Sequence, residues 1–173
     1  NVKALRPLAW VCDLYITVIR GVPVVVLLMI FYYIILVSAN GVAVAIMTFG
    51  INSGAYMAEL IRSGINAVDS GQMEAARSLG LPYWRAMAKV VLPQAIRTMI
   101  PSIINQFIIT LKDTSILSVI GFPELVNTAK NVVANTMRAF EVWAIVGVMY
   151  LIIITLLSRL AKRLERRLNR GRE

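Results

Sequence analysis

Between Arg20 and Glu59 lie 38 consecutive residues, Gly21 to Ala58, without one charged side chain. At about 1.5 Å per residue, a helix needs about 20 residues to cross a hydrocarbon core, so this stretch is too long for one span. Its middle reads Ser38-Ala39-Asn40-Gly41, a turn-forming cluster. The sequence therefore predicts two antiparallel spans, 22–37 and 42–61, joined by a tight turn. A third apolar region, 98–120, is interrupted by Lys112-Asp113, and a fourth, Val142 to Ser158, is uncharged throughout. Composition agrees: 58% of the chain is hydrophobic and 16% charged, with a mean hydropathy of +0.73. A soluble domain carries about a quarter charged residues, and one of 173 residues could not bury this much apolar surface. The expectation is an all-α integral membrane protein, a bundle of four transmembrane helices over residues 1–173; a soluble four-helix bundle is the poorer alternative.

Positive charge orients the spans. With four of them, both chain ends fall on one side, together with Lys3, Arg6, Arg20, Arg62, Arg77, Arg85, Lys89, Arg97 and seven basic residues from Arg159 to Arg172. The other side receives Lys130 and Arg138. Both ends and the 62–97 loop are thus expected in the cytoplasm. No secretory signal peptide is visible. Residues 4–19 read as an amphipathic helix on the membrane surface, with Trp10 and Tyr15 as interfacial anchors. The basic tail, 159–173, continues the last span as a helix and suits anionic lipid better than nucleic acid. With no histidine and a single cysteine, Cys12, the chain has no imidazole catalysis, no Ser-His-Asp triad and no intrachain disulfide. No metal site and no catalytic residue is expected.

The loop at 63–97 is too patterned to be a mere connector. Ser70 or Asp69 can cap a helix beginning near Gln72, with Glu74 in its first turn where the dipole favours a carboxylate. Gly80 is placed to stop it. Pro82 suits the first turn of a second helix, 82–91, which Pro93 is expected to end. The two short helices would present Ala75, Ala76, Tyr83 and Trp84 to a groove on another protein.

These residues carry a resemblance. Glu74-Ala75-Ala76, three residues, Gly80, nine residues, then Val90-Val91-Leu92-Pro93 resembles the EAA loop of membrane subunits of bacterial ABC importers, with valine in place of isoleucine. Arg20-Gly21-Val22-Pro23, Asn52-Ser53-Gly54-Ala55-Tyr56, Asn105-Gln106-Phe107, Lys112-Asp113-Thr114-Ser115 and Gly121-Phe122-Pro123-Glu124-Leu125 are similar to the polar amino-acid permease branch. The similarity runs from about Arg20 to Arg167. Members of that branch usually have five spans, and the resemblance implies that this sequence begins at the approach to the second, with the first not among its residues.

An ionisable residue at membrane depth costs about 2.5–3.5 kcal/mol on insertion scales and is a functional candidate by default. On a helix, Ser102, Asn105, Gln106, Thr110, Lys112 and Asp113 fall within roughly 160° of one another. This polar stripe either lines a pathway or forms an interhelical hydrogen-bond seam. Lys112 and Asp113 point about 100° apart, so each is expected to find a partner on another element. On the second span Asn52 and Tyr56 sit deep enough to meet a small zwitterion, whereas Glu59 is expected to pair with an arginine. Gly50 and Gly54 suit close helix contact.

The chain lacks a Walker A pattern, so ATP and Mg²⁺ belong on a separate subunit and this chain is not itself an enzyme. The resemblance implies a membrane permease subunit that works by alternating access, coupled to ATPase subunits through Glu74, Ala75, Ala76, Gly80, Tyr83 and Trp84. It also implies a second permease subunit, identical or homologous, and an extracytoplasmic amino-acid-binding protein in a bacterial inner membrane. Lys112-Asp113-Thr114-Ser115 resembles the glutamine, histidine and arginine members, glutamine first. A fragment of an ion-coupled secondary transporter is the alternative, but it needs no docking loop.

Overall fold

The computed structural model describes residues 6–169, with side-chain surroundings to Arg163. Every regular element in it is helical. The chain opens with α1 (Arg6–Gly21), which packs across α3. Pro23 then turns it by 105° into α2 (Val24–Ile30), continued by a wide π-helical turn, Phe31–Ile35. The turn at 36–40 leads to α3 (Gly41–Asn66), whose first turn is capped by Asn40: its side-chain oxygen accepts from the Ala43 amide at 2.8 Å. This is the expected hairpin. The near-perpendicular setting of α1 suits the expected surface helix, but Tyr15 is no free anchor. Its hydroxyl donates to the Ile51 carbonyl at 2.6 Å, in the middle of α3.

The first expected span is shorter than read. Val24–Ile35 has 12 helical residues, about 18 Å, against the ~30 Å of a hydrocarbon core. Three helices are long and apolar enough to cross alone: Gly41–Asn66, Tyr83–Ile120 and Ala139–Arg163. The bent pair Arg6–Gly21 and Val24–Ile35 makes a fourth only as one broken span. The molecule is an all-α membrane bundle.

After α4 (Ser70–Ser78), α5 (Tyr83–Ala86) does not end at Pro93 as the sequence suggests. It runs through a π turn, Met87–Val91, directly into α6 (Leu92–Asp113). Proline lacks an N–H and crowds the carbonyl four residues back. Here the turn before it is widened, with the Leu92 amide donating to Met87, five residues back, and the helix passes through. A 3₁₀ turn (Thr114–Ile120) follows and stops at Gly121, φ +74°. Next comes a helix that the sequence reading did not anticipate, α7 (Leu125–Thr136). The Glu124 carboxylate caps it, accepting from the amides of Val126 (2.8 Å) and Asn127 (2.6 Å). Helix α8 (Ala139–Asn169) carries the last span onward into the basic tail, as expected; residues 170–173 lie outside the described region.

Two packing centres hold the bundle. Leu28, Phe31, Val44 and Leu117 form a buried cluster where the α2–α3 hairpin meets the 3₁₀ turn. Deeper in the chain, Gly64 on α3 lets α6 approach closely: a Cβ there would sit 2.9 Å from Met99 Cε and 3.0 Å from Met99 Cβ.

Candidate functional site: a docking loop and a polar face

The loop is built by its caps. Asp69 Oδ1 accepts from the Gly71 amide at 2.7 Å and starts α4. At the other end, Gly80 has φ +83°; its amide donates to Arg77 O (3.0 Å) and the Leu81 amide to Ala76 O (3.2 Å). That pair of bonds is the Schellman closure, and the left-handed residue it needs is the glycine. Gln94 Nε2 donates to Gln72 Oε1 at 3.3 Å and ties α4 to the start of α6.

Of the expected docking residues, Glu74 and Ala75 are exposed, whereas Ala76 is buried at 4% exposure. Ala76 packs inward and lets α4 sit close to its own chain, so it does not face a partner. Trp84 (79% exposed) and Tyr83 project outward with their rings edge to face, centroids 5.4 Å apart. Leu79, 84% exposed, stands just before the bend and was missed in the sequence. It is the C-cap residue of α4, immediately before the left-handed Gly80. The result is an apolar knob of Leu79, Tyr83 and Trp84; Glu74, expected in the first turn, is instead the fifth residue of α4, because the helix begins at Ser70 and not near Gln72.

The polar residues of the spans do not form one wall. Thr110 Oγ1 lies 3.4 Å from Ser53 Oγ on α3. Gln106 and Asp113 are half-buried, and Ser102 and Lys112 are exposed. Asn105 lines a small pocket of about 160 Å³ against α8, with Ser158 and Lys162. Lys112 and Asp113, expected to find partners elsewhere, make no ion pair or side-chain hydrogen bond among the described residues. Each lies at the α-to-3₁₀ transition.

On α3, Asn52 is buried inside the chain. Tyr56 lies under the Arg20 guanidinium, 5.3 Å from the ring centroid. Glu59 bridges two arginines, Arg62 at 2.7 Å and Arg20 at 3.4 Å, in a cleft of about 570 Å³ that Asp13 and Thr17 also line. Gly54 meets the Tyr15 hydroxyl, while Gly50 has open space beside it. No cluster of three or more His, Cys, Asp or Glu that could hold a metal lies among the described residues.

Residues 2–170 match the family described as "Binding-protein-dependent transport system inner membrane component". The chain is 42% identical over 159 residues to the glutamine transport system permease protein GlnP of Escherichia coli (strain K12), covering 89% of this chain and 73% of that one. It is 36% identical over 172 residues to the arginine transport system permease protein ArtQ of Bacillus subtilis (strain 168), covering 97% and 78%. A crystal structure of an amino acid ABC transporter with histidines superposes with a TM-score of 0.90 at 40% identity, over 94% of this chain and 78% of that one. The MetNI methionine ABC transporter shares the fold, TM-score 0.76 at 20% identity, over 97% and 77%.

Proposed function

We propose a cargo and a working cycle for this chain from the premise that it belongs to the family of inner membrane components of binding-protein-dependent transport systems. It is the permease subunit of an amino-acid ABC importer and sits in the inner membrane through several helices. ATP hydrolysis belongs to a separate ATPase, and a substrate-binding protein completes the system. This membership removes the ion-coupled secondary transporter as a reading.

Its cargo is a polar amino acid, glutamine first, then histidine or arginine. The likeness to glutamine and arginine permeases supports this choice, as does the Lys112-Asp113-Thr114-Ser115 run. The chain holds no nucleotide; ATP and Mg²⁺ act on the partner. Residues 1–173 form one transmembrane domain, with the 63–97 loop and both ends in the cytoplasm, and two permeases, identical or homologous, share one translocation route.

One observation supports the cycle above the others. The docking knob at Tyr83 and Trp84 belongs to the same continuous helix as Gln106 and Asp113, Tyr83–Ile120. An ATPase dimer that closes on ATP and carries Leu79, Tyr83, Trp84, Ala75 and Glu74 with it moves that helix as a lever. Two global states with different cargo access follow. Cargo passes along the α6 face that carries Ser102, Gln106, Thr110, Lys112 and Asp113; Asn52, buried inside the chain, and Tyr56, under the Arg20 guanidinium, stay off it. The neutral Gln106 amide donates and accepts hydrogen bonds without fixing a charge, while Asp113 and Lys112 meet an ammonium and a carboxylate. Asn105 is turned to α8 and lies off this route.

The test is ATP hydrolysis in proteoliposomes with the binding protein and a panel of amino acids. Glutamine is expected to stimulate turnover most. Gln106→Ala and Asp113→Asn should each lower stimulation about tenfold, the loss of one charge-assisted hydrogen bond, while basal hydrolysis and complex yield hold. Stimulation unchanged in both variants removes these residues from the route, and stimulation by acidic amino acids alone overturns the cargo.

A further inference from the structure

Between α6 and α8 lies an apolar groove of about 580 Å³ that shares no residue with the docking loop and only Thr110 with the proposed route. Ile104, Phe107, Ile108 and Leu111 line one side, Leu157 and Leu160 the other. It adjoins the pocket holding Asn105, Ser158 and Lys162, since Ile104, Ile108 and Ala161 line both spaces. The apolar part reaches along α6 to Thr114; the polar part lies at Pro101 and Lys162, toward the basic end of α8. Arg159 and Arg163, both exposed, flank Lys162 there.

We propose that the two spaces together bind an anionic phospholipid, one acyl chain in the groove and its phosphate at Lys162, Asn105 and Ser158. Length supports this occupant. Residues 104–114 of a helix span about 15 Å, half of a ~30 Å hydrocarbon core and so the depth of one leaflet. Chemistry supports it too. A helix of another protein lying in the groove would set apolar surface against the Lys162 ammonium and the Asn105 amide, which is costly without partners. A phosphate satisfies both, together with the Ser158 hydroxyl, and basic side chains next to a span attract anionic headgroups.

The test uses the transporter complex carrying this chain, in nanodiscs of equal parts phosphatidylcholine and phosphatidylglycerol, with retained lipids counted by native mass spectrometry. Phosphatidylglycerol should be held preferentially. Lys162→Gln should lower its retention about fivefold, the share of one basic side chain at an anionic surface, and leave phosphatidylcholine unchanged. Ala161→Trp fills the junction and should remove both. Because that variant can disturb packing, a photoactivatable phosphatidylglycerol is also crosslinked to the unaltered chain and should label peptides containing 104–114 and 157–161. Equal phosphatidylglycerol retention in Lys162→Gln and the parent overturns the proposal. So does lipid labelling confined to other helices, or a protein segment crosslinked into the groove.

Discussion

Thr48 on α3 is fully buried, and its hydroxyl has no hydrogen-bond partner among the described residues. An unpaired buried hydroxyl costs about 1–3 kcal/mol, and valine has the same shape without it. Thr48→Val is therefore expected to keep or raise the melting temperature of the detergent-solubilised protein, and a clear fall would mean that the hydroxyl has a partner in the assembled transporter. Gly80 poses the opposite case. Nothing lies within 4 Å of a Cβ built there, so space is not the constraint. Its φ of +83° is, and a β-branched residue in that conformation is strained by about 1–2 kcal/mol. Gly80→Val should leave insertion intact but break the Schellman closure, with the ATPase lost on co-purification or its hydrolysis uncoupled from transport. Glu74→Lys should act in the same direction more weakly, since it leaves the backbone alone. The glycine's role was legible because helix stops have a residue signature. Gly64 was not legible: its reason is Met99 on another helix, which no local pattern records.

At the scale of elements, sequence reasoning succeeds where one physical cause acts alone. The uncharged stretch and its turn located the α2–α3 hairpin, and the caps located α4. It fails where two causes compete. Pro93 is a helix breaker by its chemistry, but the preceding π turn and the burial of Val91, Ala95 and Met99 carry the helix across it. Likewise α7 is started by a glutamate, a residue outside the usual N-cap set of Ser, Thr, Asp and Asn. The uninterrupted α5–α6 helix leads to a test of mechanical coupling. Arg97 and Thr98 are exposed and lie between the docking knob and the polar face. Replacing both with glycine weakens the helix by about 1 kcal/mol per residue without touching either site. The complex is expected to assemble and hydrolyse ATP, with transport per ATP falling several-fold. Transport in proportion to hydrolysis would show that the lever need not be stiff.

At the scale of the whole molecule, the proposed orientation rests on the distribution of charge along the sequence. The docking loop and the two end segments carry fifteen lysines and arginines, whereas the segment of α7 and the α7–α8 junction carries Lys130 and Arg138. Cytoplasmic segments collect such an excess. The geometry supplies a matched pair of reporters for the two sides. Leu79, at the docking bend, and Met137, at the end of α7, are each 84% exposed. They are therefore equally open to a reagent, and any difference between them reports the membrane and not local burial. Cys12, also exposed, is first replaced by serine so that no native thiol competes. In intact spheroplasts that make the permease without its ATPase, so that docking does not cover Leu79, a membrane-impermeant maleimide should label Met137→Cys within minutes and leave Leu79→Cys unmodified; after permeabilisation both should react alike. Labelling of Leu79→Cys from outside would invert the topology and put the docking knob where no ATPase can reach it. If neither reacts even after permeabilisation, both surfaces are covered within the permease dimer. If both react from outside, the loop and the α7–α8 junction share one side, and the Tyr83–Ile120 helix does not cross the bilayer. Only labelling at Met137 alone in the intact cell fits a chain that takes cargo from outside and force from within.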